Sequence, residues 1–343
     1  MKFHSKRATA LAALVLSGAM VLTACGGTDD EGGTGGGGEG DMSITFLPKN
    51  LGNPYFDTSD AGGKAAVEEF GGTFEEVGPQ EASPDAQVQY INTAAQQGVS
   101  ALVVSANDPK AIGDALNEAR DAGTKVVTFD SDTEPQYREI FVNQASAEGI
   151  AKAQVDLIAE QIGDAGEIAI LSASANATNQ NAWIEMMKSD LEANHPDIEL
   201  VDVVYGDDDD QTSFDKTAAL LQSHPQLKGI VSPTTVGIAA AARYLSDSDK
   251  KGKVSLTGLG TPNQMREYVQ NGTVEAFALW NPEELGYLAA FAANALASGE
   301  IEGEPGDSFE AGELGQYTVE DDKSVLLGEP FVFNKDNIDD FDF

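Results

Sequence analysis

Two acidic residues follow a short apolar run and are the first candidates for chemistry. Residues 126–129 read Val-Val-Thr-Phe, and Asp130 and Asp132 come directly after them. Paired carboxylates can act as a general acid and base, or they can bind hydroxyl groups. An Asp-Ser-Asp segment is also typical of a tight turn. This pattern alone therefore leaves a functional site and a turn as open alternatives.

Further polar and aromatic residues lie near the ends of other predicted elements. They are Lys49, Asn53, Phe56, Asn179, Gln180, Pro233, Thr235, Trp280 and Asn281. Carboxylate, amide and ammonium groups together donate and accept hydrogen bonds, as a small neutral ligand rich in hydroxyl groups requires. Helix capping is the alternative for residues 179–181. The recurrence of such residues at several strand ends favours a binding site.

Patterns typical of catalysis or metal binding are weak. His195 and His224 each precede a proline, as solvated loop residues often do. The sequence has no Ser-His-acid arrangement, no His-Cys metal spacing and no phosphate-binding Gly-Lys loop. The acidic run at 207–210 could bind a cation, but we interpret it as a solvated turn before a helix, whose N-terminus favours acids. We predict no enzyme activity, no cofactor and no metal.

The elements that would position these residues alternate between strands and helices from residue 43 onward. Predicted helices include residues 59–70, 85–97, 109–122 and 284–296. The alternation predicts parallel sheets, in which ligands bind beyond the carboxyl ends of the strands. About ten strands in two similar runs predict an α/β fold of two doubly wound parallel-sheet lobes joined by a hinge. A single eight-stranded barrel is the alternative.

The N-terminus has the features of a lipoprotein signal. Basic residues precede an apolar run at 8–22, which is too short to span a bilayer comfortably. The run ends in Leu22-Thr23-Ala24-Cys25, which resembles a lipobox and contains the only Cys of the chain. We predict a signal peptide at 1–24, then lipidated Cys25 and a Gly- and acid-rich tether to residue 42. This predicts an extracytoplasmic protein, anchored by lipid to the outer face of the cell membrane.

Charge and length limit the partners. The 343 residues include 57 acidic and 20 basic residues, for a net charge of −37. Nucleic-acid binding needs a basic surface, so we predict no nucleic-acid partner. We interpret the acidity as solubility and not as a site. The length favours two domains, and we predict a monomer.

From residue 43 to 343 the chain resembles type I periplasmic (solute) binding proteins. More narrowly, it resembles the autoinducer-2-binding LsrB and rhamnose-binding RhaS group of ABC importers. The residues that carry the resemblance are 46–49, 78–79, 87–89, 104–106, 129–133, 143–144, 179–183, 261–263, 333–338 and 342–343. The resemblance implies the two-lobed fold of this family and capture of a ligand between the lobes.

The resemblance also implies a set of ligand contacts. Four of the six positions that contact autoinducer-2 carry the family's residue, namely Lys49, Asp130, Gln180 and Pro233. Asn179 stands where the family has a second Asp, and Thr235 stands where it has Ala. The change to Asn removes a charged acceptor. We therefore predict a sugar or sugar-like ligand (rhamnose, a pentose or a polyol), with autoinducer-2 as the alternative.

The implied organisation places 43–143 plus 281–312 in an N-terminal lobe and 144–280 plus 313–343 in a C-terminal lobe. The family implies hinge segments near residues 143, 280 and 313, and delivery of the ligand to ABC permease subunits. One rival is a receptor that reports to a membrane sensor. Another is a carbohydrate-active enzyme that uses Asp130 and Asp132.

Overall fold

The computed structural model describes residues 42–343. The predicted signal peptide and the lipid-attachment residue Cys25 lie outside the described residues. Within residues 42–343, no helix is both long and apolar enough to cross a membrane. This part of the chain contains fourteen strands and nine α-helices.

The first lobe is built on a six-stranded sheet whose strands are all parallel. Its strands are β1 (Ser43–Leu47), β2 (Thr73–Glu76), β3 (Ala101–Val104), β4 (Lys125–Phe129), β5 (Ile140–Asn143) and β13 (Ser324–Leu326), in the order β13-β5-β4-β3-β1-β2. Its helices are α1 (Pro54–Glu69), α2 (Pro84–Gln97), α3 (Gly113–Asp121) and α9 (Pro282–Ser298). A short antiparallel hairpin, β11 (Ser308–Glu310) with β12 (Gln316–Thr318), follows α9.

Alternation along β4 shows why this sheet is covered on both faces. Val126 packs with Leu102 and with Ile91 of α2 on one face. Val127 and Phe129 point to the opposite face, in the core that includes α1 and α9. A strand that is buried on both sides needs an unbroken apolar sequence, and residues 126–129 have nearly that composition.

The second lobe has a four-stranded parallel sheet in the order β7-β6-β8-β9. Its strands are β6 (Gly166–Ser172), β7 (Ile198–Tyr205), β8 (Leu227–Ser232) and β9 (Ser255–Gly258). Its helices are α4 (Ala147–Ile162), α5 (Thr178–Asn194), α6 (Asp210–Ser223), α7 (Thr235–Ser246) and α8 (Pro262–Gln270). A parallel bridge from Leu259 to Ala278 connects this sheet to β10 (Ala276–Leu279), which pairs antiparallel with β14 (Phe331–Asn334). Two open parallel sheets confirm the predicted fold class and exclude the barrel.

The chain passes between the lobes three times. We call these segments the three crossings: residues 144–146 after β5, 280–281 after β10, and 327–330 between β13 and β14. The assignment of all residues 313–343 to the second lobe is wrong, because β13 pairs with β5 in the first sheet. Arg138 Nη1 donates to the carbonyl oxygen of Lys323 at 3.0 Å and holds the start of β13 there. The third crossing therefore follows β13 and does not lie near residue 313.

Two glycines allow α1 and α9 to cross closely. A Cβ atom at Gly62 would lie 1.9 Å from the carbonyl oxygen of Glu283, and one at Gly286 would lie 1.7 Å from that of Ser59. Neither position can carry a side chain without moving a helix backbone. The glycine pair therefore joins the start of the first lobe to the helix that returns from the second.

The start of α1 differs from the prediction of residue 59. The helix begins at Pro54, and Asn53 Oδ1 accepts a hydrogen bond from the backbone N–H of Tyr55 at 3.1 Å. Asn followed by Pro is a helix-start pattern. The helix α3 begins at Gly113, later than predicted, because Asp108 Oδ1 accepts from Lys110 N and Ala111 N and forms a turn first.

Candidate ligand-binding cleft

A cavity with about 360 Å³ of empty space lies where the carboxyl ends of strands from both lobes face each other. Nine of the eleven predicted ligand-binding residues line it: Lys49, Asn53, Phe56, Asp130, Asn179, Gln180, Pro233, Thr235 and Trp280. The other lining residues are Tyr55, Trp183, Asp208, Thr234, Leu259 and Leu279. Ligands of parallel-sheet proteins bind at such strand ends, so this cavity is the candidate site.

Lys49 and Asp130 form the charged centre on the first lobe. Lys49 Nζ lies 3.7 Å from Asp130 Oδ2, and their side chains are 5% and 6% exposed. Ser105 Oγ donates to the same carboxylate oxygen at 2.7 Å. Asp130 has a φ of 59°, a left-handed conformation that Asp tolerates better than most residues. The turn after β4 therefore presents the carboxylate to the cleft in a fixed orientation.

Asn179, at the start of α5, connects the lobes. Its Oδ1 accepts a hydrogen bond from Lys49 Nζ at 3.2 Å. Its Nδ2 lies 3.3 Å from the carbonyl oxygen of Asp130 and 3.5 Å from Oδ1 of the same residue. Its Oδ1 also accepts from the backbone N–H of Gln180 at 2.9 Å. The amide thus occupies hydrogen-bonding positions that a hydroxyl group of a ligand would use.

Asp208 is a cleft residue that the sequence analysis missed. It belongs to the acidic run at 207–210, which we interpreted as a solvated turn. Asp209 does serve the helix, because its Oδ1 accepts from Thr212 N at 2.7 Å at the start of α6. Asp208 instead turns toward the cleft and accepts a hydrogen bond from Thr234 Oγ1. The position of the run directly after β7 was the available indication.

The pKa of Asp208 reflects its burial. Removal from water raises the pKa of its carboxyl, while the charge of Lys49 and the bond from Thr234 act in the opposite direction. Asp130 adds a further negative charge that raises it. The cleft therefore places two carboxyl groups, Asp130 and Asp208, around the ammonium group of Lys49. Their oxygens can accept hydrogen bonds from the hydroxyl groups of a ligand.

Aromatic rings form one wall of the cavity. Trp280 Nε1 donates to the hydroxyl oxygen of Tyr55 at 2.9 Å, and the two rings meet edge to face with centroids 6.1 Å apart. Trp183 contacts Trp280 with centroids 6.0 Å apart. Burial, followed by the charge of Asp130, raises the pKa of Tyr55 well above its usual value, so this phenol stays neutral. Such a wall can cover the C–H face of a sugar ring.

A buried glutamine supports the loops that carry the charged centre. Gln87 Nε2 donates to the carbonyl oxygens of Pro48 at 3.2 Å and Ser105 at 2.8 Å. Its Oε1 accepts from Asn107 N at 3.0 Å. Asn107 Nδ2 in turn donates to the carbonyl oxygen of Lys49 at 2.9 Å. These bonds fix the segments after β1 and β3 relative to each other.

The structure does not place Asp132 in the cleft. Its carboxylate accepts from Arg138 Nε and Nη2, each at 2.8 Å, and from Thr128 Oγ1. The side chains of Arg138 and Asp132 are 3% and 17% exposed, so this is a largely buried structural ion pair. Asp132 therefore holds the segment that anchors β13. It does not act beside Asp130 as a second cleft carboxylate.

Asn281 is also outside the cleft. Its Oδ1 accepts from the backbone N–H of Glu283 at 3.0 Å and caps α9. Its neighbour Trp280 points into the cavity, whereas Asn281 lies on the far side of the second crossing. Its position after a strand was correctly predicted, but its side chain completes a helix end.

Three of the solved structures that are similar to the chain carry the comparison, and each covers 88% of the chain. A sugar ABC transporter from Actinomyces odontolyticus is 54% identical, with 98% of that chain covered and a TM-score of 0.72. An ABC transporter solute-binding protein from Clostridium phytofermentas, with bound L-rhamnose, is 39% identical, with 98% covered and a TM-score of 0.85. LsrB from Clostridium saccharobutylicum, in complex with AI-2, is 27% identical, with 100% covered and a TM-score of 0.83.

The family model of the periplasmic binding protein domain matches residues 44–301, which include most of both sheets and the lining residues of the cleft. The chain therefore belongs to the periplasmic binding protein domain family.

Proposed function

We propose that this protein captures a small neutral sugar in the cleft and delivers it to an ABC permease. The observation that carries the proposal is the set of polar groups from Lys49, Asp130 and Asn179, which face an aromatic wall around Trp280. Hydroxyl groups both donate and accept, and this set offers carboxylate acceptors, an ammonium donor and an amide that does both. Members of the family are solute-binding proteins and not enzymes.

L-Rhamnose is our first candidate ligand, followed by pentoses and polyols. The proposal is supported by 39% identity to a solute-binding protein solved with L-rhamnose. Autoinducer-2 is the second candidate, supported by likeness to the AI-2 complex at 27% identity. Asn179 favours the sugar, because it supplies a neutral amide where the AI-2 receptors carry an acid.

Lobe closure would link binding to transport. The hydrogen bonds of Asn179 to Lys49 and Asp130 join the two lobes across the cleft. A sugar between them would replace these bonds with its own and would add contacts to Trp280 and Gln180. A ligand that contacts both lobes favours the closed state, because only that state offers every contact. The three crossings would serve as the hinge.

We also propose that the N-terminus anchors the protein. Cys25 would carry the lipid, and residues 26–41 would form the tether. A tether of sixteen residues would have an average reach of about 20–24 Å. That reach would keep the cleft close to a permease in the same membrane.

A thermal-shift screen of the purified protein tests the ligand class. The panel holds L-rhamnose, pentoses, hexoses, polyols and autoinducer-2. A ligand at about 100 times its Kd should stabilise the protein by about 2.7 kcal/mol, which is several degrees in Tm. A response to one sugar supports the proposal, and a response to autoinducer-2 alone selects the second candidate. No response to any compound contradicts the proposed ligand class.

Replacement of Asp130 tests the site. Asp130→Asn keeps a residue that tolerates the positive φ but removes the charge. Hydrogen bonds to a charged group contribute about 1.5–3 kcal/mol, so we expect the Kd for the sugar to rise about ten- to a hundredfold in calorimetry. Asp121→Asn, at an exposed position in the last turn of α3, is the matched control. Equal affinities of the two variants would contradict the site.

A further inference from the structure

A second pocket lies behind Trp280, on the side away from the cleft. It has about 610 Å³ of empty space and opens to solvent. Each of the three crossings contributes to its wall: Gln144 from the first, Trp280 and Asn281 from the second, and Glu329 from the third. We call it the hinge pocket. It shares one side chain, Trp280, with the cleft.

The rest of its wall is aromatic. Phe331, Phe333, Phe341 and Phe343 all line it, and their rings contact one another. Phe331 is 47% exposed, which is unusual for a ring beside a buried cluster. The faces of such rings carry partial negative charge and attract cations.

Two carboxylates stand at this aromatic wall. Glu284 and Glu329 line the hinge pocket, and none of the described residues that line it is Lys or Arg. The guanidinium group of Arg266 donates to the carbonyl oxygen of Phe341, behind the aromatic wall. Neither carboxylate forms a salt bridge within residues 42–343. Glu329 lies beside the first turn of α4, since a Cβ at Gly149 would be 2.9 Å from its Oε2, and a helix N-terminus favours acids. Glu284 likewise lies in the first turn of a helix, α9, whose N-terminus also favours an acid.

Gln144 adds an unmet hydrogen-bonding requirement. It lines the hinge pocket and is only 1% exposed, yet its Oε1 has no hydrogen-bond partner in the part of the chain that the structure describes. A buried amide oxygen without a donor costs about 1–3 kcal/mol. A ligand that brings an N–H or O–H group into the pocket would remove that cost.

We propose that the hinge pocket is a second binding site, for a small organic cation that also carries a hydrogen-bond donor. The aromatic rings and the two carboxylates bind the positive charge, and Gln144 accepts the donated hydrogen bond. An occupant contacts all three crossings at once. It therefore alters the balance between open and closed lobes wherever it fits one state better than the other.

Isothermal titration of the purified protein with choline tests this site directly. Choline has a quaternary ammonium group and one hydroxyl group, and 3,3-dimethylbutan-1-ol is its neutral isostere. We expect choline to bind at least tenfold more tightly than the isostere. Glu284→Gln should weaken choline binding about fivefold or more, because it removes one carboxylate from an exposed position. Glu283→Gln, one residue earlier and outside the pocket, is the matched control and should bind as the wild type does.

Gln144→Met gives a second readout, because it keeps the size of the side chain but removes the acceptor. We expect weaker choline binding, while tetramethylammonium, which has no hydroxyl donor, should bind the variant and the wild type alike. Absence of choline binding, equal binding of the isostere, or equal affinities of the Glu284→Gln and Glu283→Gln variants would each overturn the proposal. Loss of choline binding in Asn179→Ala without loss in Glu284→Gln would place choline in the cleft and overturn it as well. The test uses no sugar, so its failure leaves the proposed function untouched.

Discussion

Asn179 brings a neutral amide to the most charged point of the cleft. Its Nδ2 is 3.5 Å from Asp130 Oδ1, and its Oδ1 is 3.2 Å from Lys49 Nζ. A carboxylate at this position would face the carboxylate of Asp130 at a distance where two like charges oppose each other's ionisation. The amide avoids this conflict and leaves Asp130 as the one carboxylate in a salt bridge with Lys49 among the described residues.

Asn179→Asp is expected to change the ligand preference. The new carboxylate loses the donor to Asp130 and repels it, so we expect the Kd for a neutral sugar to rise about tenfold. Binding of autoinducer-2 relative to the sugar should improve in the same variant. Calorimetry with both ligands measures the two changes. Gln96→Glu makes the same chemical change at an exposed position on α2, and it should alter neither affinity.

Asp60 is expected to make the stability of the protein depend on pH. The residue is 2% exposed, and its Oδ2 has no hydrogen-bond partner among the described residues. Burial, followed by the charge of Glu76, raises its pKa well above the usual value for Asp. The folded state then holds a proton that the unfolded state has released. Stability contributed by the protonated form is therefore lost as the pH rises from the ordinary Asp range through the raised folded pKa.

Asp60→Asn is expected to stabilise the protein at pH 8 by about 1–3 kcal/mol, because no charge has to be buried. The gain should shrink as the pH falls to about 3, below the ordinary pKa of Asp, where the wild-type carboxyl is largely protonated in both states. Thermal melts across this pH range measure it. Asp121→Asn, on the exposed surface, serves as the control and should show no such trend. A gain that does not depend on pH would contradict this explanation.

Strand-end positions allowed most of the cleft to be predicted, because parallel strands bring their carboxyl ends together. They could not give the direction of each side chain within a turn. Asp130 points to the cleft, whereas Asp132, two residues later, turns to Arg138. Asp208 was missed for the same reason. Its side chain points to Thr234 in the cleft, whereas the side chain of the adjacent Asp209 caps α6, and the sequence does not distinguish the two directions.

At the scale of elements, short polar residues fix where the helices of the hinge region begin. Asn281 separates Trp280, which lies in the cleft, from α9, which packs on the first lobe. Its side chain satisfies a backbone N–H that the first turn of the helix leaves without a partner. Loss of the cap should therefore affect stability and not recognition of the sugar.

Asn281→Ala is expected to reduce the free energy of unfolding by about 1 kcal/mol, as at other helix N-caps. Chemical denaturation measures this loss. The affinity for the sugar should stay within about twofold of the wild type. Asn281→Ser, which can also cap the helix, should recover most of the stability. A large loss of sugar affinity in the Ala variant, without loss of stability, would restore Asn281 to the ligand-binding set.

The alternation of strands and helices could be predicted from the sequence, because each element has its own pattern of apolar residues. A strand near residues 324–327 was also predicted, and it is β13, but its partner was not predicted, because β13 and β14 are only three and four residues long. β13 joins β5, nearly two hundred residues earlier, through contacts that no local pattern encodes. Non-local pairing is thus the reason that the third crossing was misplaced.

At the scale of the whole molecule, the cross-cleft bonds of Asn179 hold the lobes together in this structure. The described residues 42–343 correspond to a compact radius of gyration of about 19 Å. We expect small-angle scattering of the protein with sugar to approach this value. Asn179→Ala without sugar should give a larger radius than the wild type without sugar, because it loses the bonds across the cleft. Identical radii in all conditions would contradict lobe closure.

The packing of α1 against α9 also governs when the protein can fold. The first lobe needs α9 and β13, and β10 of the second lobe pairs with β14, so both lobes depend on residues 282–334. Contacts between such distant segments form slowly, because a long loop must close before they are made. During synthesis neither lobe can be completed until these late residues have left the ribosome. A chain whose lobes are completed only at this stage could be threaded through a membrane before it reaches its final fold.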